Sequence, residues 1–201
     1  GSTFGTANLP TAGSSTGLVY VTNRTRLYVL GDSSDAMKAY DYNTDNRVMA
    51  TEIPQMVTSN LVPVMTSLKD AGTNITTISF GNYSIPSGTT TYDVSGKNNG
   101  AILAYVSGNE LRVTNFDGGT LIFGNGDSLS FQGNAAFANV QTVKYGDVNT
   151  SNVTSLVSNF AQMTNLTNIT GLDQWDTSNV TTLRNTFRGC TGLTKLDLST
   201  W

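Results

Sequence analysis

The apolar positions of this chain follow two rhythms. In the first half they come as short runs between polar turns. Leu18-Val19-Tyr20-Val21 and Leu27-Tyr28-Val29-Leu30 are β-branched and aromatic runs separated by Thr22-Asn23-Arg24-Thr25-Arg26, which predicts a hairpin. Lys38-Ala39-Tyr40-Asp41-Tyr42 adds a third strand. Thr58-Ser59-Asn60 ahead of Leu61, Val64 and Leu68 predicts a short helix, with Pro63 in the first turn, where a missing N–H does no harm. Ile75, Ile78 and Phe80 follow at strand offsets. Residues 88–100 read as a polar loop. Residues 101–106 and 109–116 flank Ser107-Gly108, a two-residue hairpin turn, and Leu121-Ile122-Phe123 and Leu129-Ser130-Phe131 flank Gly124-Asn125-Gly126-Asp127 in the same manner.

The second half is periodic at longer range. Thr150-Ser151-Asn152-Val153-Thr154 overlays Thr177-Ser178-Asn179-Val180-Thr181 at an offset of 27 residues. The match continues through Leu156 and Leu183, Phe160 and Phe187, Met163 and Cys190, Leu166 and Leu193, and Ile169 and Leu196; Trp175 and Trp201 align after a slip of one residue. A fixed period of roughly 20–50 residues marks stacked units that share one core. Within a unit, Val180, Leu183 and Phe187 fall at i, i+3 and i+7, which predicts a short helix, capped by Ser178 or Asn179 and ended by Gly189. Leu196 and Leu198 alternate around Asp197 and predict a strand beside the one through Ile169. Val140, Val143, Tyr145 and Val148 repeat the spacing of Leu193, Leu196, Leu198 and Trp201. Residues 57–80 then read as an early, divergent turn, with 81–136 inserted before the repeat resumes.

Two resemblances rest on these residues. Trp175-Asp176-Thr177-Ser178-Asn179-Val180-Thr181, Phe187-Arg188-Gly189-Cys190, Leu193 and Leu196-Asp197-Leu198-Ser199 before Trp201 resemble the unit of BspA-type leucine-rich-repeat surface proteins, over about 149–201. That resemblance implies a many-copy solenoid on a bacterial surface, used in adhesion. On it, a chain stopping at Trp201, where another Asp-Thr-Ser-Asn would follow, is expected to be truncated. Leu9-Pro10, Gly13, Gly17-Leu18-Val19-Tyr20-Val21, Leu27-Tyr28-Val29, Gly31 and Ala39-Tyr40 resemble a small module of bacteriophage tail and head fibres. Leu30 stands where that module carries an aromatic. It implies attachment to a particle and a homo-oligomer, such as a trimer.

Composition narrows the chemistry. Only 12% of the 201 residues are charged, while 71 are Ser, Thr or Asn, a balance that favours turns and pleated strands. A net charge of -3 without a Lys/Arg cluster argues against nucleic acid as a partner, and no run reaches the ~20 apolar residues of a membrane-spanning helix. The chain has no histidine, which removes histidine-based triads, metal sites and pH switches together. Cys190 is the sole cysteine, so no intrachain disulfide forms, and it reads as a small buried hydrophobe. Gly1-Ser2 in place of Met reads as a removed leader or a cloning scar.

Several motifs invite a site. Leu30-Gly31-Asp32-Ser33-Ser34 and Gly126-Asp127-Ser128-Leu129 resemble the Gly-Asp-Ser-Leu esterase block, but a serine nucleophile needs a base and no histidine exists to supply it; both read as turns. Asp41, Asn43, Asp45 and Glu52 have the spacing of a calcium loop, with Val48 at its apolar position. Asn46 replaces the usual glycine and Met49 the usual polar residue, so a hairpin turn through 43–46 competes with that reading. Tyr20, Tyr28, Tyr40, Tyr42, Tyr83, Tyr92 and Tyr105 include candidates for a sugar-stacking platform, although strand tyrosines are more often half-buried. Asn-x-Ser/Thr triplets open at Asn23, Asn74, Asn82, Asn149, Asn152, Asn165, Asn168 and Asn179, and are mostly a product of composition.

The expectation is therefore a mainly β chain with short helices. Residues 1–56 form an N-terminal β-hairpin module for attachment and oligomerisation. Residues 57–136 form an α+β region with inserted antiparallel strands, and 137–201 a leucine-rich-repeat-like solenoid. The expected function is that of a non-enzymatic structural and attachment protein of a bacteriophage particle, a fibre or head decoration, at the virion surface. The alternative is a bacterial cell-surface adhesin of BspA type. Expected partners are further copies of itself, phage structural proteins or the bacterial cell wall, and a host glycan or protein. No catalytic residue, no cofactor and no membrane insertion are expected, and no metal beyond the calcium candidate.

Overall fold

The computed structural model describes residues 58–96, 100–116, 118–123 and 130–201, and the backbone of four strands before them. The chain divides into two compact units, Gly1–Ile53 and Pro54–Trp201. In the first, β1 (Val19–Val21), β2 (Arg26–Val29), β3 (Lys38–Tyr42) and β4 (Val48–Thr51) pair antiparallel in chain order. Tyr20 is in register with Tyr28, Tyr28 with Ala39, and Tyr40 with Ala50. Three of these strands coincide with the predicted runs. The fourth lies in the stretch whose spacing resembles a calcium loop.

The second unit is mainly β, with one α-helix and a mixed six-stranded sheet. Helix α1 (Leu61–Asp70) buries Leu61, Val64, Met65 and Leu68, the i, i+3, i+4, i+7 stripe of an amphipathic helix. It ends in a Schellman motif: the N–H of Gly72 donates to Lys69 O and that of Thr73 to Leu68 O, with Gly72 at φ +78°. That reversal delivers Thr73 and Asn74 back beside Lys69, and β5 (Thr77–Phe80) starts three residues later.

The sheet order is β12-β10-β5-β8-β7-β6, with β6 (Thr91–Asp93), β7 (Ile102–Ser107), β8 (Glu110–Asn115), β10 (Thr142–Tyr145) and β12 (Asn168–Thr170). Strands β12, β10, β5 and β8 run parallel, whereas β7 and β6 are antiparallel. Leu111, Ile78, Val143 and Ile169 lie in one register row; the first three are fully buried and Ile169 packs at the margin. The strands enter through one repeated joint. Asn109 O accepts from the N–H groups of Thr76 and Thr77, Thr76 O from Gln141 and Thr142, and Gln141 O from Thr167 and Asn168. Beside this sheet, β9 (Leu121–Ile122) pairs in parallel with β11 (Val148–Asn149).

Residues 150–193 carry the sequence period into the backbone. The N–H groups of Leu156, Ser158, Phe160 and Gln162 donate to the carbonyls of Thr182, Arg184, Thr186 and Arg188. Five turn bonds recur at the 27-residue offset, from Val153 to Thr150 and Val180 to Thr177, through to Leu166 to Met163 and Leu193 to Cys190. Rings stack along the same direction: Phe131 on Phe160 at 5.7 Å, Phe160 on Phe187 at 5.4 Å, and Trp175 on Trp201 at 5.6 Å. The N–H groups of Leu183, Asn185, Phe187 and Gly189, one period on from the four donors above, have no acceptor among the described residues. The carbonyls of Leu183, Asn185 and Phe187 are spent on turn bonds to Thr186, Arg188 and Cys190.

Several expectations need correction. The helix predicted through Val180, Leu183 and Phe187 is a series of turns, because alternate N–H groups of the matching segment bond to the next turn instead of four residues back. Ser158, Gln162 and Asn185 accordingly take positive φ. The strand predicted at Leu196 and Leu198 is absent: 193–198 belong to no strand, and no ladder joins them to Ile169. Side chains tie that segment down instead, with Cys190 Sγ donating to Phe160 O and Trp201 Nε1 to Leu172 O. Leu121 to Phe123 bond to 147–149, burying Leu121 and Phe123 completely, and among the described residues no ladder joins them to Ser130 or Phe131. The polar loop at 88–100 contains β6, and the β7–β8 turn falls at Gly108-Asn109, one residue later than read, with Gly108 at φ +63°. No helix among the described residues is long and apolar enough to cross a membrane.

Candidate functional site

Where the strands enter the sheet, side chains from successive layers line a polar cleft of about 390 Å³. Its walls are Lys69 and Gly72 at the end of α1, Thr73, Asn74 and Thr76 leading into β5, Asn139 and Gln141 leading into β10, and Asn165 ahead of β12. The repeated joint stacks these segments, so their side chains form short ladders. Asn139 Nδ2 donates to Asn74 Oδ1 at 3.0 Å, Asn165 Nδ2 to Ala138 O at 2.8 Å, and Lys69 Nζ to Ala135 O at 3.0 Å. The backbone of Thr76 and Gln141 is occupied by the ladder, and the side chains of the cleft present amide, hydroxyl and one ammonium group. No carboxylate lines it. Its volume lies within the roughly 300–1,000 Å³ usual for small-ligand clefts.

A second polar cluster lies on the sheet face opposite the core. Lys144, Ser79 and Arg112 are in register on β10, β5 and β8. Glu110 gathers them: Ser79 Oγ donates to its carboxylate at 2.5 Å, Arg112 Nε at 2.8 Å and Lys144 Nζ at 3.3 Å. Desolvation pushes the Glu110 carboxyl upward, but the hydrogen bond from Ser79 and those from Arg112 and Lys144 outweigh it and hold it below the ordinary carboxylate value. A carboxylate so held is a poor base, and Ser79 is fully buried. The Arg112 guanidinium also sits 5.2 Å from the Tyr83 ring centre. The cluster tethers three strands, and nucleophilic chemistry finds no activated group in it.

Several of the sequence candidates lie outside the described residues. Asp41 lies in β3, in register with Met49 of β4; Asn43, Asp45 and Glu52 lie outside the described residues, as do Ser33 and Ser128. Tyr20, Tyr28, Tyr40 and Tyr42 are strand residues of the first unit. Tyr105 is buried with its hydroxyl on Ser84 O, and Tyr92 is half-buried in β6. Neither forms a platform. Burial pushes the Cys190 thiol above its ordinary value, consistent with its reading as a buried hydrophobe. Sequence reasoning missed the cleft, whose only advance signal was the recurrence of Asn and Thr just before each strand.

A family model described as "Mycoplasma protein of unknown function, DUF285" matches residues 128–201, the part of the chain that carries the period. No curated protein and no solved structure matches the chain.

Proposed function

We propose that this chain is a non-enzymatic attachment protein of a bacteriophage particle, whose repeat half is a leucine-rich-repeat-like solenoid displaying a polar recognition face. The observation that carries the reading is the recurrence of backbone bonds, turn bonds and ring stacks at one period through 150–193. Such stacking builds a stiff scaffold with an extended surface. The cleft across its layers offers groups that bind rather than groups that attack. The N-terminal antiparallel unit, with its resemblance to phage fibre modules, would join the particle as a homo-oligomer. A second reading, a bacterial surface adhesin, is favoured by the family match over the repeats.

Immunogold labelling with antibody to this chain tests the two. Label on fibres or capsids of particles is expected, and label on the cell envelope alone would transfer the function to the adhesin. Turnover of an ester or glycoside by the purified chain would remove both.

A further inference from the structure

We infer that the cleft formed by Lys69, Asn74, Thr76, Asn139, Gln141 and Asn165 binds a short acidic glycan; this rests on the attachment reading above and names its ligand. The argument is an inventory of hydrogen-bonding groups. Asn139 Nδ2, Asn165 Nδ2 and one Lys69 N–H are engaged within the protein. Left to a ligand are the Asn74 amide N–H groups, the side-chain carbonyls of Asn139 and Asn165, and the two remaining Lys69 N–H groups. Both ends of the Gln141 amide and the hydroxyls of Thr73 and Thr76 also have no partner among the described residues.

That set alternates donors with acceptors. A phosphate or sulfate wants donors alone and would meet amide carbonyls. A metal ion wants acceptors alone and would meet Lys69. An apolar ligand would leave every one of these groups unpaired. Sugar hydroxyls, each donor and acceptor at once, satisfy the whole set. The lone ammonium, with no carboxylate in the lining, selects a sugar that bears one carboxylate. The backbone that carries these groups is held in place before binding, since Thr73 and Asn74 hang from the Schellman turn and Gln141 from the strand joint. No aromatic ring lines the cleft, so each site binds weakly and attachment draws on multiple copies.

The test is a titration of the whole isotope-labelled chain, followed by amide NMR, with 3′-sialyllactose and a galacturonate trisaccharide against lactose and maltotriose. Expected are shifts confined to residues 69–76, 139–141 and 165, with an acidic probe bound several-fold more tightly than the neutral ones. Which acidic probe wins identifies an animal or a bacterial and plant source. Gln141→Ala should weaken binding about tenfold, as expected for a lost pair of hydrogen bonds. Lys69→Met should abolish the preference for acidic over neutral sugars while neutral binding persists. Both positions are exposed, so the spectra themselves report that the fold is kept. Shifts elsewhere, no shifts, or variants that titrate like the parent overturn the assignment. Adhesion to cells is measured in parallel, with and without periodate oxidation of their glycans. Adhesion that survives both periodate and Gln141→Ala rejects the cleft but leaves the attachment reading standing. Absence of adhesion to any surface, together with a cleft titration as expected, rejects attachment and leaves the glycan site.

Discussion

The two ends of the six-stranded sheet are assembled by opposite rules. At one end β6, β7 and β8 pair antiparallel, and β7 meets β8 across the Gly108-Asn109 turn. At the other, β5, β10 and β12 run parallel, and Thr142 is in register with Thr77 on one side and Asn168 on the other. Between β11 and β12 the chain scarcely forms strands at all, yet Val153, Leu156, Phe160, Met163 and Leu166 are almost wholly buried. Regular secondary structure and a packed interior are thus separable. In the hairpin end, order is local and the sheet follows. In the repeat end, order lies in the contact between one turn and the next, and the local backbone bends to serve it.

The sharpest way to break this comparison is to interrupt a ring column. Phe160 is fully buried between Phe131 and Phe187, so Phe160→Ala should cost about 3–5 kcal/mol, whereas Phe187→Ala, at the half-buried end, should cost about half as much. Urea unfolding measures both, and equal losses would mean that the column is not a unit. Next comes a glycine pair. Gly171 has φ +83° and a Cβ there would collide with the Tyr145 carbonyl; Gly108 has φ +63° with nothing close. Gly171→Ala should destabilise by about 3 kcal/mol or more and Gly108→Ala by about 1 kcal/mol. A similar thermal shift for the two would show that the contact between turns is slack.

Glu110 joins the two ends, and its pH dependence follows from its lowered folded pKa. Because the carboxyl binds its proton more weakly when folded than when unfolded, it adds stability that is complete above the ordinary carboxylate value. That contribution disappears as pH falls through the lowered folded value. Glu110→Gln should lose about 1–3 kcal/mol at pH 7 and progressively less as pH falls through and below the ordinary carboxylate range. A denaturation midpoint whose difference from the parent is flat across that range would contradict the assignment. The smallest effect is a gain. Asn159 is 1% exposed, and neither its Oδ1 nor its Nδ2 has a partner among the described residues. Thr186, its counterpart one period on, puts its hydroxyl 2.9 Å from Leu156 O and 2.7 Å from Leu183 O. Asn159→Thr should therefore stabilise by about 1 kcal/mol in a melting experiment, and a loss would show that the two turns are less alike than their bonds.

How far the sequence reveals this molecule differs between the same two regions. Two runs flanking a glycine turn give β7 and β8 almost to the residue, and the stripe of Leu61, Val64 and Leu68 gives α1. In the repeats, the matched positions Phe160/Phe187 and Trp175/Trp201 are legible as stacked neighbours, but their local geometry is not. Spacing of i, i+3 and i+7 looks helical when the bonds that decide it lie a full period away. The cleft was invisible for a related reason. Its groups come from three places in the chain, and only the register of β5, β10 and β12 brings Asn74, Asn139 and Asn165 side by side.

The row of amide groups at Leu183, Asn185, Phe187 and Gly189 offers donors alone, so it is answered by acceptors, water among them. Two identical rows brought together by a twofold axis would set proton against proton and repel. A polypeptide lying against this row would have to offer carbonyls at the same spacing.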